Sequence, residues 1–279
     1  GTRTSPGLKT LREKIRKGTS GAYETEREMN YLYDKEGRIT EERDTVDTEN
    51  HISYKYDEFG RLKRENNEKL NKTILYEYNK NGNITSVKSY GYTESEEVEG
   101  SYTEKTYKYE DENHKDQLTS YNGQDIKYDL LGEPIIYRGK EFSFEKGKLT
   151  GYVYRNTLSG TKRYRYSYDA KGRRIKKSYT YSPGKQIIMF YLEARDTEYE
   201  YNESGLLMRE KITENYHQGG SSKEEREYVY DMKGIAGVIV RKNGEETEYY
   251  YGRDIQGNVR KIYNKEGEEV GSYDYEAYG

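Results

Sequence analysis

Five aspartates, Asp34, Asp57, Asp129, Asp169 and Asp231, each follow a tyrosine and stand three residues ahead of a glycine. Acids repeated so regularly are first weighed as calcium ligands. A calcium loop needs several oxygens at alternate positions, and each copy here offers one carboxylate followed by residues such as Lys, Glu, Phe or Leu. The better reading is a turn former, because Asp and Asn side chains bond their own backbone two residues on. Histidine occurs only as His51, His114 and His217, among charged neighbours and without a repeating Ser or Asp partner. Such residues read as surface or turn positions. Cysteine is absent, which removes disulfides, thiolate metal sites and a Cys nucleophile. No phosphate-binding glycine loop, HExxH or G-x-S-x-G is present. A Gly-x-x-Gly match such as Gly234 to Gly237 is what a glycine-rich repeat yields by chance. The expectation is a chain with no catalytic residue, no metal site and no cofactor.

The acids belong to a longer motif, Tyr-x-Tyr-Asp/Asn-x-x-Gly-x-apolar. Copies run through Tyr31, Tyr33, Asp34 and Gly37, then Tyr54, Tyr56, Asp57 and Gly60, then Tyr76, Tyr78, Asn79 and Gly82. Later copies are Tyr166, Tyr168, Asp169 and Gly172; Tyr199, Tyr201, Asn202 and Gly205; and Tyr228, Tyr230, Asp231 and Gly234. A shorter form is Tyr128-Asp129 with Gly132. Tyrosines two apart lie on one face of a strand. The acid or amide opens a turn, and glycine closes it where φ must be positive. The apolar residue then starts the returning strand. Each copy is therefore expected to be a β-hairpin, and the chain a series of hairpins.

Leu, Ile, Val and Phe together number 43 of 279 residues, a fraction that ordinarily signals disorder. The 35 tyrosines fill the gap, since each ring buries a large apolar area and keeps a hydroxyl for water or a carbonyl. A core of this kind suits a thin sheet. With 48 basic and 51 acidic residues and a formal charge of -3, bulk electrostatics select no nucleic acid partner. No run approaches the roughly 18 apolar residues of a membrane span. Neither is there a signal peptide's apolar stretch at the N-terminus. Gly1 suggests a fragment or a processed piece.

Residues 1–30 can be a short basic helix carrying Leu8, Leu11 and Ile15, or a linker or hairpin of strands 8–17 and 22–33 around a Gly18-Thr19-Ser20-Gly21 turn. The alternation of Tyr23, Thr25, Met29, Tyr31 and Tyr33 against glutamates favours the hairpin. Residues 31–248 are expected to form the repeat sheet, with the motif Asp or Asn at 34, 57 and 79 marking a repeat architecture. Thr45–Asn50 and Asn66–Asn71 read as far-end turns, and Glu94–Glu99 as a solvated loop. Between 107 and 152, short strands separated by glycines indicate tight meanders, with Pro134 where no ladder N–H is needed. In 162–177, the densest positive charge, Arg163 and Arg165 fall opposite Tyr164, Tyr166 and Tyr168. That basic run reads as the solvent side of a hairpin.

The repeat resembles the YD repeat of the rearrangement-hotspot (RHS) family. Lys115-Asp116-Gln117-Leu118-Thr119-Ser120-Tyr121-Asn122-Gly123 through Leu149-Thr150-Gly151-Tyr152 is similar to a stretch of Gram-positive YD-repeat proteins, including wall-associated ones. Tyr249-Tyr250-Tyr251-Gly252-Arg253-Asp254-Ile255-Gln256-Gly257-Asn258-Val259, with Tyr273-Asp274-Tyr275-Glu276-Ala277-Tyr278-Gly279, resembles the start of the RHS-associated core. Residues 249–279 are assigned to it on that basis. The resemblance implies an all-β fold in which hairpins wind into one continuous curved sheet, part of a hollow shell. It implies a structural role: enclosing and delivering a C-terminal toxin of a secreted, polymorphic bacterial protein. The partners implied are the protein's own upstream repeats and its toxin cargo, neither in this sequence, and the location is secreted or wall-associated. The motif residues, with Asp254, Gly257 and Asn258, are then architectural. The alternative is a cell-surface carbohydrate-binding or adhesion module with outward tyrosines on sugar rings.

Overall fold

The computed structural model describes residues 7–16, 23–185 and 190–278. Among them there is no helix, and the strands hydrogen-bond in chain order in two antiparallel sheets. The first sheet runs β1 (Thr10–Arg16), β2 (Tyr23–Tyr33), β3 (Ile39–Asp44), β4 (His51–Tyr56), β5 (Leu62–Asn67), β6 (Lys72–Tyr78), β7 (Ile84–Gly91), β8 (Tyr102–Lys108), β9 (Ser120–Tyr121) and β10 (Gln124–Asp125). The second begins with β11 (Lys127–Tyr128), β12 (Pro134–Tyr137), β13 (Lys140–Glu145), β14 (Lys148–Asn156), β15 (Gly160–Tyr168), β16 (Arg174–Ser182) and β17 (Leu192–Tyr201). It continues through β18 (Leu207–Tyr216), β19 (Ser221–Asp231), β20 (Gly234–Lys242), β21 (Glu245–Arg253), β22 (Val259–Tyr263) and β23 (Glu269–Ser272). The chain divides into two compact units, Gly1–Gly123 with Tyr251–Gly279, and Gln124–Tyr250.

Residues 10–16 are strand, paired with β2 from Thr10↔Asn30 to Arg16↔Tyr23, so the helical reading of Leu8, Leu11 and Ile15 does not hold there. The Gly18-Thr19-Ser20-Gly21 turn lies outside the described residues. Asn66 and Asn67, read as turn, are buried strand residues. The sequence on the far side of β5 turns only after Asn67, where the Leu70 N–H donates to its Oδ1.

Each motif hairpin carries a bulge one step before its second tyrosine. The register slips between Leu32 and Tyr33, Lys55 and Tyr56, Glu77 and Tyr78, Ser167 and Tyr168, and Glu200 and Tyr201. Consequently Tyr33 faces Ile39, Tyr56 faces Leu62, and Tyr78 faces Ile84. The extra residue keeps the apolar side chain on the tyrosine face and adds local twist. In the first unit that face forms a core of Leu62, Ile74, Tyr76 and Val87, with Tyr54, Tyr56, Tyr78 and Tyr107 against it.

Between hairpins the ladder stops short. The β3–β4 pairs end at Glu41↔Ser53, β5–β6 at Arg64↔Leu75, β16–β17 at Lys176↔Glu198 and β18–β19 at Arg209↔Glu227. Two residues beyond each end, a tyrosine hydroxyl takes over. Tyr56 Oη donates to the Ile39 carbonyl (2.7 Å), Tyr78 to Leu62 (2.6 Å), Tyr201 to Arg174 (2.8 Å) and Tyr230 to Leu207 (2.7 Å). Tyr168 does the same to Leu149 (2.7 Å) and Tyr275 to Val259 (2.8 Å).

A Tyr→Phe change keeps the ring and deletes only this bond. Tyr56→Phe and Tyr230→Phe should each lower unfolding free energy by about 1 kcal/mol. The double variant should show the sum, since the sites share no partner. Urea unfolding checks both expectations; no change in either single variant would mean the hydroxyl carries no load.

Candidate functional site: the tyrosine face and its covering segment

The motif acid closes each turn with its own backbone. Asp34 N–H donates to the Arg38 carbonyl (3.0 Å) and Gly37 N–H to the Asp34 carbonyl (3.1 Å). Asp34 Oδ1 accepts the N–H groups of Glu36 (3.0 Å) and Arg38 (2.9 Å). Asp57, Asn79, Asp169, Asn202 and Asp254 make the same pair of backbone bonds, and Asp129 accepts from Leu131 and Glu133 in the same way. The closing glycine sits at φ 85° in Gly37 and 80° in Gly60, a region ordinary side chains avoid. Asp231 departs from this: it pairs directly with Gly234 across a two-residue turn, where Lys233 N–H reaches its Oδ1 (2.7 Å). A further copy, missed in the sequence, is Asn264 with Gly267, where the Glu268 N–H reaches Asn264 Oδ1 (2.8 Å). Its signal was Tyr263-Asn264-x-x-Gly267.

Arginine after the glycine joins one repeat to the next. Arg38, Arg61 and Arg173 each donate Nε to the Oδ2 of their own motif acid, at 2.6, 2.6 and 2.7 Å. Their guanidinium carbons lie 4.6, 4.6 and 4.9 Å from the ring centroids of Tyr56, Tyr78 and Tyr201, in the next hairpin. Arg260 repeats the pattern with Asp254 (2.9 Å) and Tyr275 (4.9 Å). Sequence reasoning passed over this residue, although Gly-Arg recurs at 37–38, 60–61 and 172–173. Partial desolvation works to raise the carboxyls of Asp34 and Asp57. The arginine N–H and guanidinium together outweigh it and hold both below their ordinary range. In Asp169 the Arg173 N–H is the largest influence, with the same net direction.

In the first unit the tyrosine face also carries charge. Arg27 and Asp44 are buried together at 3.7 Å, and Glu42 and Glu65 are buried. Glu42 accepts from Tyr54 Oη (3.1 Å) and Glu65 from Tyr76 Oη (3.2 Å). Burial pushes both carboxyls up, as it does the phenols of Tyr54 and Tyr76, where the neighbouring glutamates add to the effect. The segment 273–278 lies across this face. Ala277 N–H donates to Glu65 Oε2 (2.8 Å), Glu276 pairs with Lys72 (2.5 Å), and Asp274 with Lys69 (3.5 Å). The Tyr278 ring meets Tyr76 edge-on at 5.2 Å. Beside the segment lies a cavity of about 640 Å³ lined by Arg38, Glu42, Tyr54, Arg260 and Glu276 among others.

The histidines divide. His114 is exposed, but His51 is buried between Glu41 (3.2 Å) and Glu68 (3.7 Å), contrary to a surface reading. His217 stacks on Tyr191. The loop of Glu94–Glu99 is tied down by buried Arg64, which donates to the carbonyls of Thr93 (2.7 Å) and Ser95 (2.7 Å). The basic run is also not wholly outward. Arg163 and Arg165 face away from the rings, whereas Lys162 and Lys177 pair across the strands with Tyr181 and Tyr166 and share the tyrosine face.

The family model described as Teneurin YD-shell matches residues 22–279. Among curated proteins none matches the chain. Among solved structures, the TcdB2–TccC3–Cdc42 complex aligns with a TM-score of 0.71 at 14% identity, over 97% of this chain and 15% of that one. The Tc holotoxin pore of Photorhabdus luminescens, with a substituted TccC3, gives a TM-score of 0.71 at 13% identity, over 97% of this chain and 14% of that one. The chain thus spans a small part of the length of these solved chains, and the likeness to them is one of fold.

Two expectations follow. Lowered carboxyls at Asp34, Asp57 and Asp169 stabilise the fold fully above the ordinary carboxylate pKa, and the contribution is lost as pH falls through their folded values. The raised Glu42 and Glu65 act in the opposite sense, since protonation relieves buried charge. Asp34→Asn, Asp57→Asn and Asp169→Asn together keep the turn, as Asn79 and Asn202 do, so the drop in Tm from about pH 6 to about pH 3 should shrink. An unchanged pH profile would contradict this. Separately, Glu65→Ala removes the acceptor under Ala277; hydrogen exchange of that amide should quicken markedly, while amides of β18 and β19 stay as they were.

Proposed function

The chain belongs to the teneurin YD-shell family, and from that membership we propose that it forms one stretch of a shell wall that encloses a polypeptide cargo. The cargo is a toxin domain carried by the same secreted bacterial protein, with further repeats of that protein completing the wall. The observation that carries the proposal is the hydroxyl-to-carbonyl bond repeated from hairpin to hairpin, from Tyr56 to Ile39 through Tyr275 to Val259. It extends a sheet past the end of its ladder, so hairpin adds to hairpin and leaves few open edges. The role is architectural and non-catalytic: the motif carboxylates are consumed by backbone N–H groups and by arginine. Likeness to Tc toxin structures supports this reading.

The test uses the full reading frame that contains this segment. The region it encodes beyond the wall should resist protease in the intact protein and be cut readily when expressed alone. Opening the wall with Tyr56→Phe and Tyr78→Phe together should restore cleavage. A frame without any such region, or one cut equally fast in both forms, would overturn the proposal.

A further inference from the structure

The first unit displays what a tyrosine face with lysines can hold. An acidic, tyrosine-bearing segment lies on it, its acids at Lys69 and Lys72 and its last ring against Tyr76. In the second unit a face that also sets lysines among aromatic rings, without the buried carboxylates of the first, spans β13–β16. Phe142, Tyr152, Tyr164 and Tyr179 form a ladder with ring centroids 5.4, 4.5 and 5.0 Å apart. Lys140 Nζ lies 5.2 Å from the Tyr152 centroid and Lys177 Nζ 5.7 Å from that of Tyr164. The register puts Lys162 and Arg174 on the same face and places no carboxylate there: Tyr154 faces Lys140 and Lys162, and Tyr168 faces Arg174. Mixed charge is on the other side, where Glu141 pairs with Arg155 and Lys176 with Asp196.

We propose that the tyrosine face of β13–β16 is a docking surface for an acidic, tyrosine-bearing segment of a second polypeptide. Charge selects the acid. Ring geometry selects polypeptide over nucleic acid. Base stacking needs open ring faces, whereas Tyr152 and Tyr164 are stacked on one another at 22° and the flanking lysines lie over the rings. What remains is a row of ring edges, hydroxyl donors and ammonium groups, suited to carboxylates and to aromatic edges. Burial keeps the Tyr152 phenol protonated by raising it well above its ordinary value, so it stays a donor. The inference goes beyond enclosure, for it needs only this face and a free peptide.

The probe is a fluorescein-labelled peptide with the sequence of Ser272–Tyr278, titrated into the 279-residue chain and read by anisotropy. Saturable binding is expected, weakened about tenfold by Lys140→Glu with Lys177→Glu, as two reversed surface pairs imply. Arg163→Glu, on the opposite face, should bind as the parent does. A peptide with lysines for its two acids should not bind. If the double reversal does not fold by circular dichroism, Lys140→Gln with Lys177→Gln replaces it and should still show a loss. Equal binding by the charge-neutralised face, equal binding of the lysine peptide, or preference for an oligothymidylate would each overturn the proposal. Because no cargo is involved, failure of the enclosure test leaves this result standing, and the converse holds.

Discussion

Where two hairpins part, a backbone carbonyl is left facing the neighbour with no N–H to meet it, and a tyrosine hydroxyl meets it instead. That contact sets the terms for the rest of each sheet. A ladder of backbone bonds is confined to strands at one spacing, and strands spread as they approach a turn. A partly buried carbonyl without a partner is costly, so a sheet of hairpins would normally fray there. A phenol reaches further than a peptide N–H and brings a ring that covers the gap. Tyr56, Tyr78, Tyr168, Tyr201 and Tyr230 all do so at the same place relative to their ladders. Sequence separation does not matter: the link spans 16 residues at Tyr78 and 27 at Tyr201. Repeats of unequal length can therefore be joined by the same contact.

The same contact explains the composition. Phenylalanine would bury as much ring and strand the carbonyl, so tyrosine is required rather than merely tolerated. Because each ring brings a hydroxyl inward, the face beneath it is partly polar, and buried charges such as Glu65 and Arg27 find partners or near partners there. Arginine completes the joint from the other direction. Its head is fixed on the motif acid and its plane covers the next ring, so the turn of one hairpin is coupled to the tyrosine of the following one. A low aliphatic content does not mean disorder here, because aromatic area, hydroxyl bonds and cation–π contacts share the work usually left to Leu and Val.

The all-β fold and the hairpin succession were legible because they depend on period-two alternation and on acid-to-glycine turns, both local in sequence. The bulge before Tyr33 or Tyr56 was not. It shows only when the returning strand is laid against the first, since Ile39 and Leu62 sit at an even offset from the ring they face, whereas the regular pairs of the same hairpins sit at odd ones. Arg38 and Arg61 were in plain view, but their value depends on a ring some eighteen residues on, at Tyr56 and Tyr78. His51 misled because the stretch before it, from Glu41 to Glu49, is charged and suggests solvent; Glu41 of the neighbouring strand and nearby Glu68 bury it as a satisfied polar group. Lys162 and Lys177 misled for a related reason, since a basic run was judged by Arg163 and Arg165 alone. Lys162 alternates in step with Tyr164 and Tyr166, and Lys177 lies across from Tyr166, so both fall on the tyrosine face.

A face built of tyrosines is not finished when its sheet has formed. Hydroxyls that reach sideways to carbonyls leave ring edges upward, and those edges are neither wet enough to be plain surface nor dry enough to be core. The residues between the rings decide the outcome. In the first unit they include Glu65, an acceptor placed where a backbone N–H can meet it, and the chain's own Ala277 does so. Across β13–β16 of the second they are lysines, which lie over the rings and bring no carboxylate. An N–H from an approaching chain therefore finds a carboxylate in the first unit, whereas across β13–β16 it is the carboxylates of an approaching chain that find ammonium groups. The motif fixes the sheet, and its variable positions fix what each face presents.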